Sequence, residues 1–339
     1  YLNKCFKDKE QISVVVGYDC RNNSDKFAQI SADIFSANGI KVYLFVDLRP
    51  TPEVSFAIRH FGCQSGINIT ASHNPREYNG YKVYWEDGAQ ITPPHDKNIL
   101  AEVAKVTSFD LVKTMDEVKA KEVGLYQEID QEIDDAYMAE LKKQSIHPEV
   151  ISEMAKDFTI VYTPLHGTGN IPVRRVLKEL GFEKVYVVPE QEKPDGNFPT
   201  CPYPNPEIFE ALKLGLELAT KTGADLMLAT DPDADRVGIA MKCPDGSYEL
   251  VSGNEMGALL LDYICAGRIE KGTMPKNPVA VKSIVSTPLA DAIAAHYGVE
   301  MRSVLTGFKW IGDQIANLEA AGEVDRFIFG FEESYGYLA

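Results

Sequence analysis

Three aspartates at alternate positions carry the strongest chemical signal in the sequence. Asp231, Asp233 and Asp235 come shortly after the apolar run 226–228. Carboxylates this close repel one another, and beside a buried strand they are tolerable only when a cation lies among them or water reaches each one. An EF-hand calcium loop fits poorly, because Arg236 stands at the sixth position, where glycine is needed. Unless the loop is a solvated acidic turn, it favours a small hard cation such as Mg²⁺, with the Arg236 guanidinium placed to bind a phosphate.

A second polar loop, residues 70–75, contains Ser72 followed by His73 and Asn74. It ends another strand-like apolar run, and Lys82 follows ten residues after the serine. A serine in a polar turn is usually a turn residue, yet this setting also suits a nucleophile. The residues alone leave both interpretations open. The loop does not match the hydrolase elbow, and the chain has no nucleotide-binding fingerprint.

Two further loops have the composition of a ligand-binding surface. Residues 330–336 place Glu332, Glu333 and Ser334 between glycines. Carboxylates and a hydroxyl suit the hydroxyl groups of a sugar, and glycine permits close approach, although a solvated turn has the same composition. Residues 306–310 place a lysine between two aromatic residues, which indicates either a lid or helix packing.

The elements that must position these loops follow a repeated order. Strand-like runs alternate with helix-like segments, which predicts an α/β fold with buried, largely parallel strands. The order of elements recurs three times, so we expect three consecutive domains of similar topology around a cleft. Ligands gather at the carboxyl ends of parallel strands, where the polar loops lie. The predicted strands are 14–17, 42–46, 67–69, 159–161, 185–188, 226–228, 279–281 and 327–329.

Two helices carry explicit start signals. Ser24 is the expected N-cap of the first long helix, and Asn205-Pro206 reads as the N-cap and first residue of a later one. The first of these helices has one apolar face made by Phe27, Ile30, Ile34 and Ala37.

The length of 339 residues predicts two or three domains. We place boundaries near residues 131 and 245, giving domains 1–130, 131–244 and 245–339. The charged segment 105–143 is expected to be mostly helical and to serve as a connector, and residues 243–246 form a turn.

Bulk composition narrows the partners and the compartment. The formal net charge of −16 argues against nucleic acid or an anionic membrane as the main partner. No apolar run approaches the roughly 20 residues that span a bilayer. The six cysteines show no metal-site spacing, which suits free thiols in a reducing compartment and makes cytoplasm the expected location.

Taken in order, these motifs resemble the α-D-phosphohexomutase family, which includes phosphoglucomutases and phosphomannomutases. The resemblance covers nearly the whole chain and rests on residues 70–75, 79–82, 231–236 and 332–334. It implies a phosphoserine domain at 1–130, a metal-binding domain at 131–244 and a sugar-binding domain at 245–339. It also implies an N-terminal arginine-bearing segment and a fourth, phosphate-binding domain, neither of which is found in this sequence; we expect the full protein to be longer.

The resemblance assigns roles to residues. Ser72 would be the phosphoserine, supported by His73, and Lys82 would act in proton transfer. Mg²⁺ would be held by the phosphate on Ser72 and by the three aspartates, with Arg236 beside it. The substrate would contact Glu332, Ser334, Thr306, Gly307 and, more weakly, Lys309.

The activity implied is a phosphoglucomutase reaction. It would interconvert glucose 1-phosphate and glucose 6-phosphate through a phosphoserine enzyme and a sugar 1,6-bisphosphate, which serves as both activator and intermediate. Phosphomannomutase and phosphopentomutase activities are the alternatives, as is a non-catalytic sugar-phosphate-binding protein on the same scaffold. A magnesium-dependent phosphatase is a further alternative. The sequence leaves the oligomeric state and the phosphorylation state of Ser72 open.

Overall fold

The computed structural model describes residues 1–339, which divide into two compact units. The first unit contains residues 1–71 and 76–137, and the second contains residues 72–75 and 138–339. None of the helices combines the length and the apolar character that crossing a bilayer requires. All six cysteines are free thiols.

The first unit is built on a five-stranded sheet in the order β4-β3-β1-β2-β5, parallel except for β4. The central strand β1 is buried on both faces, which explains its continuous run of valines. The strands are β1 (Ser13–Tyr18), β2 (Lys41–Phe45), β3 (Ser65–Ile69), β4 (Lys82–Trp85) and β5 (Tyr126–Ile129). The helices are α1 (Leu2–Cys5), α2 (Ser24–Ala37), α3 (Thr51–His60), α4 (His95–Val103) and α5 (Glu117–Glu122), with a 3₁₀ turn at Phe109–Leu111, while α6 (Gln131–Lys143) begins in the first unit and ends in the second.

The second unit holds two sheets, of which the first has the order β10-β9-β8-β6-β7. Strands β7, β6 and β8 are parallel, and β9 and β10 follow as an antiparallel extension. The strands are β6 (Thr159–Thr163), β7 (Lys184–Val187), β8 (Leu226–Thr230), β9 (Val237–Lys242) and β10 (Tyr248–Val251). Its helices are α7 (Pro148–Met154), α8 (Asn170–Glu179), α9 (Pro189–Glu192) and α10 (Phe209–Thr222).

The remaining sheet of the second unit has the order β12-β11-β13-β14, with only β14 antiparallel. Its strands are β11 (Val279–Ser283), β12 (Glu300–Val304), β13 (Phe327–Glu332) and β14 (Gly336–Leu338). Its helices are α11 (Gly253–Glu270), α12 (Leu289–Tyr297) and α13 (Phe308–Ala320), with a 3₁₀ turn at Val324–Arg326.

The three sheets repeat one topology. In each, the first strand lies between the second and the third, and an antiparallel strand pairs with the outer edge of the third. The predicted α/β class, with one topology that occurs three times along the chain, is therefore confirmed. The antiparallel strands were not predicted, and neither was β5, which lies within the segment expected to be a helical connector and pairs with β2.

Two predicted N-caps are wrong, the first by one residue, since α2 begins at Ser24 itself. Helix α2 is preceded by Asn23 in the left-handed region (φ 67°), and Ser24 instead donates from Oγ to Asp19 Oδ1 at 3.0 Å. Helix α10 begins at Phe209, because Asn205 closes a turn by accepting a hydrogen bond from the backbone N–H of Glu207. Both predicted caps serve the loops that precede the helices.

The predicted apolar face of α2 is also wrong. Ala28 and Ala32 are fully buried, whereas Phe27 and Ile30 are 45% and 52% exposed. Small residues let a helix approach a sheet of valines closely, so Phe27 and Ile30 lie toward solvent while Phe35 packs against the core.

Candidate functional site

The three aspartates lie on the short connection between the antiparallel strands β8 and β9. The strands pair up to Thr230 opposite Val237, which holds both ends of the loop. Asp231 and Asp233 are completely buried, and Asp235 is partly exposed. One oxygen from each carboxylate lies within 4.8 Å of the other two.

Burial and mutual repulsion make this carboxylate group electrostatically unfavourable by itself. The pKa of Asp231 is raised well above its ordinary value, first by burial and then by the negative charges of Asp233 and Asp235, while Arg236 opposes the shift. A cation among these oxygens would reverse the repulsion. Three carboxylates on one loop fit a small hard ion such as Mg²⁺, so the donor set passes this chemical test.

Ser72 lies directly against the first of these carboxylates. Its Oγ donates to Asp231 Oδ2 at 2.8 Å, and Oγ is also 3.3 Å from His73 Nδ1. The other oxygen, Asp231 Oδ1, accepts from the backbone N–H of Arg236 at 3.1 Å. The serine adopts φ 53°, which is uncommon for a residue other than glycine. The structure thus brings the hydroxyl at position 72 and the acidic loop together, as the motifs led us to expect.

Residues 164–169, which follow β6, form a support for the acidic loop that was not assigned a role from the sequence. A Cβ atom at Gly167 would lie within 3.0 Å of the Pro232 backbone, so only glycine fits there. The N–H of Thr168 donates to the carbonyl of Pro232 at 2.9 Å. The buried ring of His166 spans Thr200 and the Lys193 carbonyl and anchors the loop. The sequence signal that could have identified this support was Gly167, a glycine just after a buried strand.

Arg236 is oriented by a second acid. Its Nη1 donates to Glu207 Oε1 at 2.9 Å, and the two side chains are 21% and 33% exposed. Glu207 also contributes to raising the pKa of Tyr335, although burial of the phenol is the larger cause. The guanidinium beside the acidic loop is therefore held by a carboxylate from the segment before α10.

The two predicted substrate loops meet each other in the second unit. Strand β13 runs to Glu332, whose buried carboxylate accepts a hydrogen bond from the backbone N–H of Gly307. Burial raises the pKa of Glu332, and the charges of Glu333 and Asp235 add to the shift. The carbonyl of Tyr335 accepts from the N–H of Val237 at 3.0 Å, which joins this loop to the start of β9 beside the acidic loop.

The remaining predicted substrate residues differ in exposure. Thr306 is exposed, and Ser334 and Lys309 are partly exposed. The ammonium group of Lys309 lies 5.2 Å from the centre of the Trp310 ring, a cation–π contact at the start of α13. Gly307 has φ 115°, a conformation that side chains other than glycine rarely adopt.

Lys82 lies in the first unit, where it begins β4 opposite Asn68 of β3 and is partly buried. The turn before Lys82 packs against the end of β3, the strand that leads into residues 70–75. A Cβ atom at Gly80 would lie within 3.0 Å of the Thr70 carbonyl. Asn79 fixes this turn by donating to Ser24 Oγ at 2.9 Å.

Repeated α/β sheets with polar loops at their strand ends define a class of proteins built from consecutive α/β/α domains. Family models match nearly the whole chain in order: phosphoglucomutase/phosphomannomutase alpha/beta/alpha domain I over residues 1–110, domain II over 135–246 and domain III over 252–339. The chain belongs to the phosphoglucomutase/phosphomannomutase family.

Individual relatives carry different mutase names. The chain is 39% identical to a phosphopentomutase from Homo sapiens over 348 residues, covering 100% of this chain and 56% of that protein. It is 38% identical to a phosphoglucomutase from Staphylococcus epidermidis over 326 residues, covering 96% and 57%. A crystal structure described as a putative phosphomannomutase from Thermus Thermophilus superposes with a TM-score of 0.77 at 27% identity, covering 99% of this chain and 68% of the other. The chain spans just over half the length of these two curated relatives.

Proposed function

We propose that the protein carrying this chain is a Mg²⁺-dependent phosphoglucomutase that interconverts glucose 1-phosphate and glucose 6-phosphate. The single observation that supports the proposal is the 2.8 Å hydrogen bond from Ser72 Oγ to Asp231 Oδ2, because the proposed nucleophile then lies against a three-carboxylate cluster. The proposed domains are residues 1–130, 131–244 and 245–339, and the proposed compartment is the cytoplasm. A small sugar phosphate is the proposed partner.

The proposed cycle begins with a phosphoryl group on Ser72. The bond from phosphorus to Ser72 Oγ breaks, and a bond forms from phosphorus to a free hydroxyl oxygen of the sugar monophosphate. Lys82 takes the proton from that hydroxyl and a proton is restored to Ser72 Oγ, which leaves a serine hydroxyl and a sugar 1,6-bisphosphate. After the bisphosphate turns around, Ser72 loses its hydroxyl proton as its oxygen takes the other phosphoryl group, and the sugar oxygen that loses this group regains a proton.

Charge is the main obstacle to this reaction. A phosphoserine carries about −1.5 to −2 charges at neutral pH and would repel an anionic substrate. Arg236 and Lys82 offset that repulsion, and Arg236 is already held beside the acidic loop by Glu207. A bound Mg²⁺ would supply further neutralisation at the transferring phosphoryl group. Glu332, Ser334, Thr306, Gly307 and Lys309 are proposed to bind the sugar.

Phosphopentomutase activity is the second candidate, because a human protein with that name is 39% identical to this chain. The loops at 306–310 and 333–336 resemble those of phosphoglucomutases and of phosphopentomutases alike, so the resemblance supports either activity. Phosphomannomutase activity and a non-catalytic sugar-phosphate-binding role complete the set of alternatives.

The test uses the whole protein with Mg²⁺ and a trace of glucose 1,6-bisphosphate. We expect glucose 1-phosphate to be converted faster than mannose or ribose 1-phosphate, and intact mass to show one phosphoryl group on the wild type but none on Ser72→Ala. A preference for ribose 1-phosphate would select the pentomutase. Release of free phosphate would indicate a phosphatase, and binding without turnover or labelling would indicate a non-catalytic protein.

A further inference from the structure

The two adjacent acids of the loop after β13 have different surroundings. Glu332 bonds the backbone of Gly307, whereas the carboxylate of Glu333 is directed at two buried hydroxyls. Its Oε2 accepts from Ser283 Oγ at 2.5 Å and from Ser286 Oγ at 3.2 Å, and the two serine oxygens are 2.7 Å apart. Because both donors bond the same carboxylate oxygen, Oε2 of Glu333 is poorly available to a ligand hydroxyl.

The serines belong to a loop that is itself tightly fixed. Ser283 is completely buried and Ser286 is 4% exposed. Lys282, also buried, donates from Nζ to the carbonyls of Ser286 and Thr287 and forms an ion pair with Asp291 at 2.7 Å. Because these contacts fix the loop that carries the two serines, Ser283 and Ser286 present a rigid docking point for Glu333.

The first turn of α11 contacts both the Glu333 loop and the serine loop. A Cβ atom at Gly253 would lie within 3.0 Å of the Glu333 backbone carbonyl, so the loop backbone rests directly on the helix start. The side chain of Asn254 accepts from the N–H of Thr287 at 2.8 Å and ties the serine loop to the same helix turn. Ser252 and Glu255 form a capping box that fixes this helix start.

We infer that Glu333 is a positioning residue rather than a sugar ligand, and that Ser283 and Ser286 determine substrate specificity by holding it. The three groups form what we call the loop clamp, Glu333 with Ser283 and Ser286. With the clamp closed, Glu332 and Ser334 on either side of Glu333 are fixed in the orientation that reads the hydroxyls of the sugar. This inference rests on the proposed sugar-binding role of Glu332 and Ser334.

The test compares clamp variants in the whole protein: Glu333→Ala, Ser283→Ala with Ser286→Ala, and all three changes together. Each should raise the KM for glucose 1-phosphate about tenfold and reduce the kcat/KM preference for it over mannose 1-phosphate by a similar factor. The triple variant should be no worse than Glu333→Ala, because the three groups act as one unit. Ser303→Ala, an exposed serine on the neighbouring strand β12, is the matched control and should change nothing.

Additive losses in the triple variant would overturn the inference, since they would mean that Glu333 contacts the sugar independently of the serines. An unchanged substrate preference would do so as well. The Mn²⁺ affinity of the acidic loop should stay at the wild-type value in each variant, which shows that the variant is folded. Ser286→Ala alone, which removes only the longer bond to Glu333, replaces any variant that fails to fold. A wild type without mutase activity on any sugar phosphate would refute the proposed function, and the clamp would then be tested by the same additivity in calorimetric binding of glucose 1-phosphate.

Discussion

Asp231 contacts both the proposed nucleophile Ser72 and the backbone of the acidic loop. One of its oxygens accepts from Ser72 Oγ and the other from the N–H of Arg236. Buried carboxylates of like charge destabilise a folded protein when they are ionised together. The site is therefore expected to depend on a cation for stability as well as for chemistry.

The sign of the resulting pH dependence follows from the raised pKa of Asp231. An aspartate in the unfolded chain titrates at about 3.9, so the folded protein holds this proton to higher pH than the unfolded one. In EDTA, the contribution of Asp231 to the free energy of unfolding should be fully present below pH 4 and should be lost as pH rises through the folded pKa. Mg²⁺ at a hundredfold excess over its Kd should add about 2.7 kcal/mol at neutral pH.

Thermal unfolding of the wild type and of Asp231→Asn, with EDTA and with Mg²⁺ between pH 4 and 8, measures this effect. The Mg²⁺-induced rise in Tm should grow with pH in the wild type and be nearly absent in the variant. An equal rise in both proteins would show that the ion binds elsewhere.

The ion pair between Glu207 and Arg236 leads to a second prediction about single residues. The pair is about a quarter exposed, so its loss should cost no more than about 1 kcal/mol of stability. Its effect on substrate should be larger, because Glu207 holds the guanidinium that is proposed to bind a phosphate. Glu207→Gln should raise the KM for glucose 1-phosphate by several-fold. A lowered KM would mean instead that Glu207 competes with the phosphate for Arg236, and Glu210→Gln, a nearby exposed acid on α10, provides the control.

At the scale of elements, the contact between the loop after β6 and the acidic loop is backbone against backbone. Gly167→Ala should therefore displace the acidic loop, lower stability by about 1–3 kcal/mol and weaken Mg²⁺ binding. Gly215→Ala in α10 meets only the flexible end of the Met227 side chain, and alanine favours a helix. Calorimetry and Mg²⁺ titration of both variants should separate them. Normal Mg²⁺ affinity in Gly167→Ala would contradict a supporting role for this loop.

Much of the strand framework was predictable because central strands of parallel sheets are continuous apolar runs. Val14, Val15 and Val16 are all fully buried, as their uninterrupted sequence indicates. The positions of the acidic loop and the serine loop were likewise predictable, since each loop follows such an apolar run. Their mutual contact was an expectation from resemblance, because residues 72 and 231 are 159 positions apart.

The features that were missed depend on contacts that local sequence does not encode. The buried residues of α2 are alanines and serines, since close approach to the sheet selects for small size rather than for hydrophobicity. Asn205 caps a turn instead of a helix, because its side chain satisfies the backbone of Glu207 first. The loop clamp could not be predicted from the sequence, because it joins Glu333 to serines about 50 positions away.

At the scale of the whole molecule, the second compact unit contains the serine tip 72–75, the acidic loop and both predicted substrate loops. The proposed phosphoryl donor, cation site and sugar-binding loops are thus carried by one unit. The chain covers just over half of its curated relatives, so turnover has to be measured on the whole protein.

The central claim is that the oxygen at position 72 and the three aspartates bind one and the same divalent ion. Mn²⁺ in place of Mg²⁺, with phosphorus-31 electron–nuclear double resonance on protein phosphorylated at Ser72, measures this contact directly. We expect a strong phosphorus coupling in the wild type, no coupling in Ser72→Ala and loss of Mn²⁺ binding in Asp231→Asn. Tightly bound Mn²⁺ that shows no coupling to a phosphate present on Ser72 would contradict the account.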